Sequence, residues 1–313
     1  MSITIAPYDK ERYGDAVFRL WQTTIGQLWP LDTFRLRQVL SEGGTHFIAL
    51  EGDKQVVGFV ATHLHEQTGH ISLLLVASDK QRQGIGTALH NTAVAHFREA
   101  GATEVQLGGG SSRFFPGVPE NLPDAVSFFR SQGWSFGGEQ YHVVYDLAQD
   151  LRTYVTPSPV LRRVDKHQIY FETIVPGQMN ELLAFESREF PEWLDAFQRV
   201  MSLGDYDDVL VGRNATGQIV ASLIMYSPQS SKERHDVLWQ AILGERLGAI
   251  GCVGVAEQEQ GKGIGLALVA CATELLIEHG VEHCSIDWVV LIDFYAKLGY
   301  HVWRGYHMCS RYL

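Results

Sequence analysis

Hydrophobic residues along this chain recur in two rhythms, and the order of those rhythms is written twice. Strand-length apolar or alternating runs fall at residues 3–5, 46–50, 56–61, 71–76 and 105–107. Between them lie stripes at helical spacing. Tyr13, Val17, Leu20 and Trp21 mark a helix predicted over 9–29, and Pro30 separates it from another over 31–40. Leu89, Val94 and Phe97 mark a third, which stops at Ala100-Gly101. The second half repeats the order, with strand-length runs at 209–212, 219–226, 249–255 and 284–286. There Ile264, Leu268, Cys271 and Leu275 mark the helix that ends at His279-Gly280. Each half carries one predicted hairpin, turning at 51–54 in the first and at 214–217 in the second.

In both halves a strand runs through a glycine-rich turn into the principal helix. The turns are Gln81-Arg82-Gln83-Gly84-Ile85-Gly86 and Gln260-Gly261-Lys262-Gly263-Ile264-Gly265. Gly84 corresponds to Gly263, 179 residues later. A repeat of that length is a duplicated domain and not a solenoid, whose units are much shorter. Strand, turn and helix together aim free backbone N–H groups at one point, where the helix terminus adds partial positive charge. Anionic phosphate suits both features. The glycine spacing is not that of the dinucleotide fingerprint, and the Gly-Lys-Ser/Thr ending of a P-loop is missing.

The two hexapeptides resemble the Gln/Arg-x-x-Gly-x-Gly/Ala acyl-CoA signature of the GNAT superfamily of N-acetyltransferases. That resemblance implies an α/β (α+β) fold of two tandem GNAT domains. Each would be a mixed, mostly antiparallel sheet with helices on both faces and a splayed central strand pair. The domains are expected at 1–150 and 151–313, the periodicity being interrupted around 148–159 by Pro157 and Pro159. The implied cofactor is acetyl-CoA. The first half would hold it by Val76, Gln81, Arg82, Gln83, Gly84, Ile85 and Gly86. The second would use Val253, Val255, Gln260, Gly261, Lys262, Gly263, Ile264 and Gly265.

Acetyl transfer from a thioester to an amine needs a base for the ammonium proton, a donor for the oxyanion and an acid for the departing thiolate. In the family the acid is often a tyrosine four residues before a glycine–aromatic pair. Tyr295 stands so before Gly299-Tyr300. In the first half Phe129 occupies the equivalent place before Gly133-Trp134, and a phenyl ring has no proton to give. The first half is therefore expected to be catalytically silent and the second catalytic. Asp287, expected just beyond the strand 284–286, is the candidate base, with a helix cap as its alternative role and Glu257 as a rival. The oxyanion donor is expected to be a backbone N–H within 252–255, where the side chains are apolar. Cys252 is conceivable as a nucleophile, but a small core residue suits a strand better.

Two further stretches bear on the acceptor. A long insertion between Met225 and Gly248 contains Trp239 and either covers the acceptor site or is a surface excursion. The loop Gly108–Pro119, with clustered glycines, Arg113, Phe114 and Phe115, is similar to one in tandem GNATs that acetylate amino sugars such as glucosamine. It suits a sugar or an interdomain contact equally. Trp239, Trp288 and Arg113 are the candidate substrate-binding residues. In layout the chain also resembles mycothiol synthase. Among other readings, the chain would sense acyl-CoA without turnover, or acetylate a peptide, a polyamine or a thiol-precursor amine.

Composition narrows the partners. The 313 residues are 45% hydrophobic and 19% charged with net charge −11, which describes a globular chain and disfavours a nucleic-acid surface. The charge is compatible with a cationic amine. No apolar run reaches membrane-spanning length and the N-terminus has no signal pattern, so a cytoplasmic protein is expected, and the family resemblance implies a small-molecule amine as its substrate. Cys252, Cys271, Cys284 and Cys309 form no C-x-x-C pair, so neither metal nor disulfide is expected.

Overall fold

The computed structural model describes residues 2–41, 43–52, 55–110, 114–234 and 236–313. In chain order the first elements are β1 (Ile3–Pro7), α1 (Lys10–Thr24), α2 (Thr33–Leu40), β2 (Phe47–Glu51), β3 (Gln55–His65) and β4 (Thr68–Val76). They are followed by α3 (Ile85–Glu99), β5 (Glu104–Leu107), β6 (Val118–Pro119), α4 (Pro123–Ser131) and β7 (Tyr141–Asp150). Next come α5 (Ser158–Asp165), β8 (Tyr170–Thr173), α6 (Met179–Glu189), α7 (Leu194–Ser202), β9 (Val209–Arg213) and β10 (Ile219–Tyr226). The chain ends with α8 (Gln240–Leu243), β11 (Leu247–Val255), α9 (Ile264–Glu278), β12 (His283–Val289), α10 (Ile292–Ala296) and β13 (His301–Tyr312). Asp53 and Lys54 of the first hairpin turn lie outside the described residues.

Local chemistry sets the helix ends. Asp9 accepts from the N–H groups of Glu11 and Arg12, and Asp32 from that of Arg35 at 2.7 Å, so both start helices. α1 stops short of the predicted residue 29. Ile25 and Gly26 both turn their N–H groups back onto the Trp21 carbonyl, which closes the helix.

Two compact units result, Met1–Tyr145 with Arg304–Leu313, and Asp146–Trp303. In the first, β1 to β4 pair antiparallel in sequence, and β4 pairs parallel with β5 only from Thr68↔Glu104 to Ile71↔Leu107. Beyond Ile71, β4 runs on to Val76 without β5, which is the splay. The last strand of the chain supplies β5 with its other neighbour, Cys309 facing Leu107 and Tyr312 facing Glu104. Helices cover both faces. At Gly58 a Cβ would meet Leu89 and Ile85 of α3, whereas Phe59 next to it packs on Tyr8 and His46. The core beneath α3 joins Leu89, Ala93 and Phe97 to Val60, Val105 and Phe129.

The second unit repeats this order. β8, β9, β10 and β11 pair antiparallel, and β11 pairs parallel with β12 from Leu247↔His283 to Ile250↔Ile286. β11 then runs on to Val255 without β12, still paired with β10. β7 lies beside β12, with Leu151 N–H bonded to Glu282 O and Trp288 N–H donating to the Asp146 carboxylate at 3.1 Å. Adjacent β11 residues face different helices: Gly254 meets Phe190 at the end of α6, and Val255 meets Gly265 of α9.

The insertion after Met225 packs inward. Arg234, 1% exposed, reaches Asp208 at 2.6 Å, Asp236 at 2.8 Å and the Met225 carbonyl at 2.7 Å. Val237 and Leu238 are buried with it, so the middle of the stretch packs on β10, while Pro228, Gln229, Lys232 and Glu233 stay exposed.

Candidate active site

The two glycine turns have the same backbone and the same staple. Gln81 Nε2 donates to Val76 O at 3.2 Å, and Gln260 Nε2 donates to Val255 O at 3.2 Å. Each bond ties the turn to the end of the splayed strand. Gly84 and Gly263 cap α3 and α9 in the left-handed region, at φ 82° and 88°. One position earlier but one, Arg82 and Gly261 are also left-handed, at φ 61° and 78°. The N-cap residue of each helix is a glycine with no side chain to bond the first N–H groups, which leaves those donors for a ligand. A Cβ on Gly84 or Gly261 would meet nothing within 4 Å, so each cradle faces open space there. This arrangement fits a pyrophosphate. Ile85 and Ile264 point into their cores, so only their backbone N–H groups face that way. Gln83 bonds to Asp79 O, and Lys262 pairs with Glu259 at 2.7 Å.

In the first unit the splay and turn open into a groove of about 770 Å³. Val76, Gln81, Arg82, Gly84 and Gly86 line it, with Phe129 from α4. Asn121, absent from the sequence-based candidates, lines it too; its Oδ1 is shielded from solvent and has no hydrogen-bond partner among the described residues.

α4 and α10 are placed alike. A Cβ on Gly86 would meet Phe128, and one on Gly265 would meet Phe294. Phe129 and Tyr295, each one residue further on, are therefore structural equivalents. Phe129 joins the core with edge contacts to His90 and Trp134. Tyr295 is 9% exposed, and burial pushes its phenol up to about 12, with Cys252 adding to the shift. It carries its proton at neutral pH. Cys252 sits at an irregularity in the β10–β11 pairing, at φ 51°, packed against the core under α6 and α7.

Asp287 lies inside β12 and not beyond it, one residue past the Ile250↔Ile286 pair where the strands separate. It is half-buried at the fork, close enough to Cys284 to help raise that thiol, which burial pushes to about 12. Trp288 follows at φ 61°, 39% exposed. Glu257 is exposed on its turn. Val253 and Val255 are half-buried on the splayed segment. Trp239 is 3% exposed, and Arg113 lies outside the described residues. Phe114 and Phe115, 1% and 4% exposed, pack against Trp21 and Trp29 inside the first unit. The aromatics of the Gly108–Pro119 loop are thus core residues, and the sugar-platform suggestion loses that support.

Sequence reasoning missed Glu186. It is 0% exposed on α6, accepts from the Ser222 hydroxyl at 2.6 Å, and is pushed up to about 7 by burial. A signal was present: Leu182, Glu186 and Phe190 follow one another at i, i+4 on the buried stripe.

The acetyltransferase (GNAT) family model matches residues 14–134 and again 179–300. The chain belongs to the GNAT family and carries its domain twice. It is similar to a solved fungal structure, the GCN5-related glucosamine N-acetyltransferase region of a multi-domain GH3 β-N-acetylglucosaminidase. The two share 37% identity and a TM-score of 0.93 over 99% of this chain, which spans 38% of the length of that one. A GCN5-related N-acetyltransferase from Sphaerobacter thermophilus shares the fold at 16% identity and TM-score 0.72, covering 99% of this chain and 95% of that one. A tandem GNAT protein of the clavulanic acid biosynthesis pathway does so at 15% and 0.68, covering 99% and 98%. Among the described residues no helix is long and apolar enough to cross a membrane.

Proposed function

We propose that this chain is an acetyl-CoA-dependent N-acetyltransferase whose second unit acetylates the primary amine of a small molecule, an amino sugar such as glucosamine first among them. The observation that carries the activity is the pairing, in one unit, of an uncapped glycine cradle with a protonated phenol beside it, Phe294 touching Gly265 and Tyr295 following. The acceptor is supported by the likeness to the glucosamine N-acetyltransferase region and by the net charge of −11.

Acetyl-CoA supplies an activated acyl group as a thioester. The N–H groups from Gly261 to Gly265 bind its pyrophosphate, and a backbone N–H of the splayed segment of β11 meets the developing oxyanion. Tyr295 holds the proton that the leaving sulfur requires. Asp287, at the mouth of the fork, faces the ammonium group. None of the four cysteines is in a disulfide, which suits a cytoplasmic setting.

The first unit has the same cradle but Phe129 in place of the phenol. We assign it acyl-CoA binding without chemistry, a second reading favoured by its groove. Thiol release from acetyl-CoA in the presence of glucosamine tests the main proposal, with a peptide, a polyamine and a thiol-precursor amine in parallel. Glucosamine is expected to give the highest kcat/KM. Turnover of another amine with none of glucosamine would overturn the acceptor, and release with no amine at all would overturn the activity.

A further inference from the structure

From Leu247 to Val255, β11 carries no carboxylate and no imidazole. The proton of an amine held before that strand has to go to a group on another element. Glu186 of α6 stands behind the same segment. Its Oε1 receives the hydroxyl hydrogen bond of Ser222 at 2.6 Å, and Ser222 lies opposite Gly254 in the β10–β11 register. Phe190, one turn along from Glu186, occupies the space a Cβ on Gly254 would need, so a glycine there lets the end of α6 close onto the splayed strand. Cys252 packs in the core formed by Leu182 and Phe185 of α6 and also acts on Tyr295, so it neighbours both the helix and the phenol. The other oxygen of Glu186, Oε2, is fully buried and has no hydrogen-bond partner among the described residues. A buried carboxyl oxygen without a partner destabilises the fold, and a site of reaction is one reason for keeping it.

We propose that Glu186 is the proton acceptor for the amine in the second unit, acting through Oε2 directly or across one water. This rests on the acetyltransferase reading. Glu186 takes one proton from the ammonium group. The freed nitrogen lone pair forms the C–N bond as the C–S bond of the thioester breaks. Tyr295 gives its proton to the sulfur and is reprotonated from the nitrogen of the new amide. Glu186 then releases its proton to solvent, so the sum is amide, thiol and one proton. Burial holds the Glu186 carboxyl at about 7, Glu192 adding like-charge repulsion and the Ser222 hydroxyl opposing both. A base poised there is half ionised at working pH and still accepts a proton readily. Asp287 in this scheme attracts the cation and does not take its proton.

The test compares Glu186→Gln, Ser222→Ala and Asp287→Asn with the unaltered chain in pH profiles of kcat, with CoA affinity by calorimetry. Glu186→Gln is expected to lower kcat by about 10²–10⁴-fold with CoA affinity unchanged. Ser222→Ala removes the bond that favours the ionised carboxylate, so the acid limb of the profile moves to higher pH. Asp287→Asn should raise KM for the amine and leave that limb in place. A second readout needs no turnover. A carboxyl whose folded pKa is raised loses stability as pH climbs from its unfolded value through about 7. Glu186→Gln should therefore melt higher than the unaltered chain at pH 8 and alike at pH 4. Full activity in Glu186→Gln, an acid limb that disappears in Asp287→Asn, or identical melting at pH 8 would each overturn the assignment while leaving the acetyltransferase reading intact. An unaltered chain that acetylates no amine overturns both.

Discussion

Tyr295 and Phe129 occupy the same place in two copies of one fold and differ by a single oxygen. The phenyl ring at 129 packs against His90 and Trp134, and the phenol at 295 faces Phe294 and Tyr300 at ring distances of 4.9 and 6.4 Å. Packing alone is served by either ring, so the hydroxyl is the part that chemistry would retain. Tyr295→Phe keeps that packing and removes only the proton. We expect kcat to fall by about 10²–10⁴-fold while CoA affinity persists. A raised KM with unchanged kcat would make Tyr295 a binding residue. Tyr295 could be singled out from sequence because its spacing to Gly299-Tyr300 is local, running from α10 into the turn that follows it. Glu186 was not, because an acid on an amphipathic helix ordinarily faces water, and only its position on the Leu182–Phe190 stripe spoke otherwise. Its partner Ser222 is 36 residues away, and no local pattern joins the two.

Among elements, the strand–turn–helix unit is the most legible, since it is contiguous and its glycines are needed for conformation. Left-handed backbone at Gly84 and Gly263 would strain any side chain, most of all a β-branched one. Arg82 shows that the earlier left-handed position tolerates a side chain at φ 61°. The consequence is an asymmetry within one turn. Gly263→Val should weaken CoA binding at least about tenfold, through strain and a Cβ placed in the phosphate cradle. Gly261→Arg, which copies Arg82, should leave affinity within about threefold. Equal losses in calorimetry would show that the turn does not hold the cofactor in this way. The splay was implied by family likeness alone, because what creates it is the end of pairing at Ile71↔Leu107 and Ile250↔Ile286. Such registers are set by contacts between distant strands, and periodicity within each strand does not contain them. The insertion was ambiguous for a related reason: Arg234 is a surface residue by type, and partners that include Asp208, Asp236 and the Met225 carbonyl define it as a core one.

For the whole molecule, the duplication suggests two self-sufficient halves, yet the first compact unit is not contiguous in sequence. Arg304–Leu313 completes the first unit, where Tyr306 and Cys309 are 0% and 1% exposed and Cys309 to Tyr312 pair with β5. Asp146–Asp150 belongs to the second, where Asp146 holds the Trp288 N–H next to Asp287. Cutting at 150/151, the boundary that periodicity indicates, removes a strand from each. The first fragment loses the buried contacts of Tyr306 and Cys309, together worth on the order of a few kcal/mol. That is a large share of a domain stability of about 5–15 kcal/mol. We expect fragment 1–150 to unfold at lower denaturant than the first unit does in the full chain, with hydrogen-exchange protection lost first in Glu104–Leu107, whose neighbour is missing. Fragment 151–313 should lose activity even if it stays folded, because Trp288 and Asp287 lose the anchor that Asp146 provides. Two fragments that fold as stably as the parent, with the second retaining full kcat, would mean that the strand contributed by the distant end of the chain matters little, and that the repeat behaves as two independent domains.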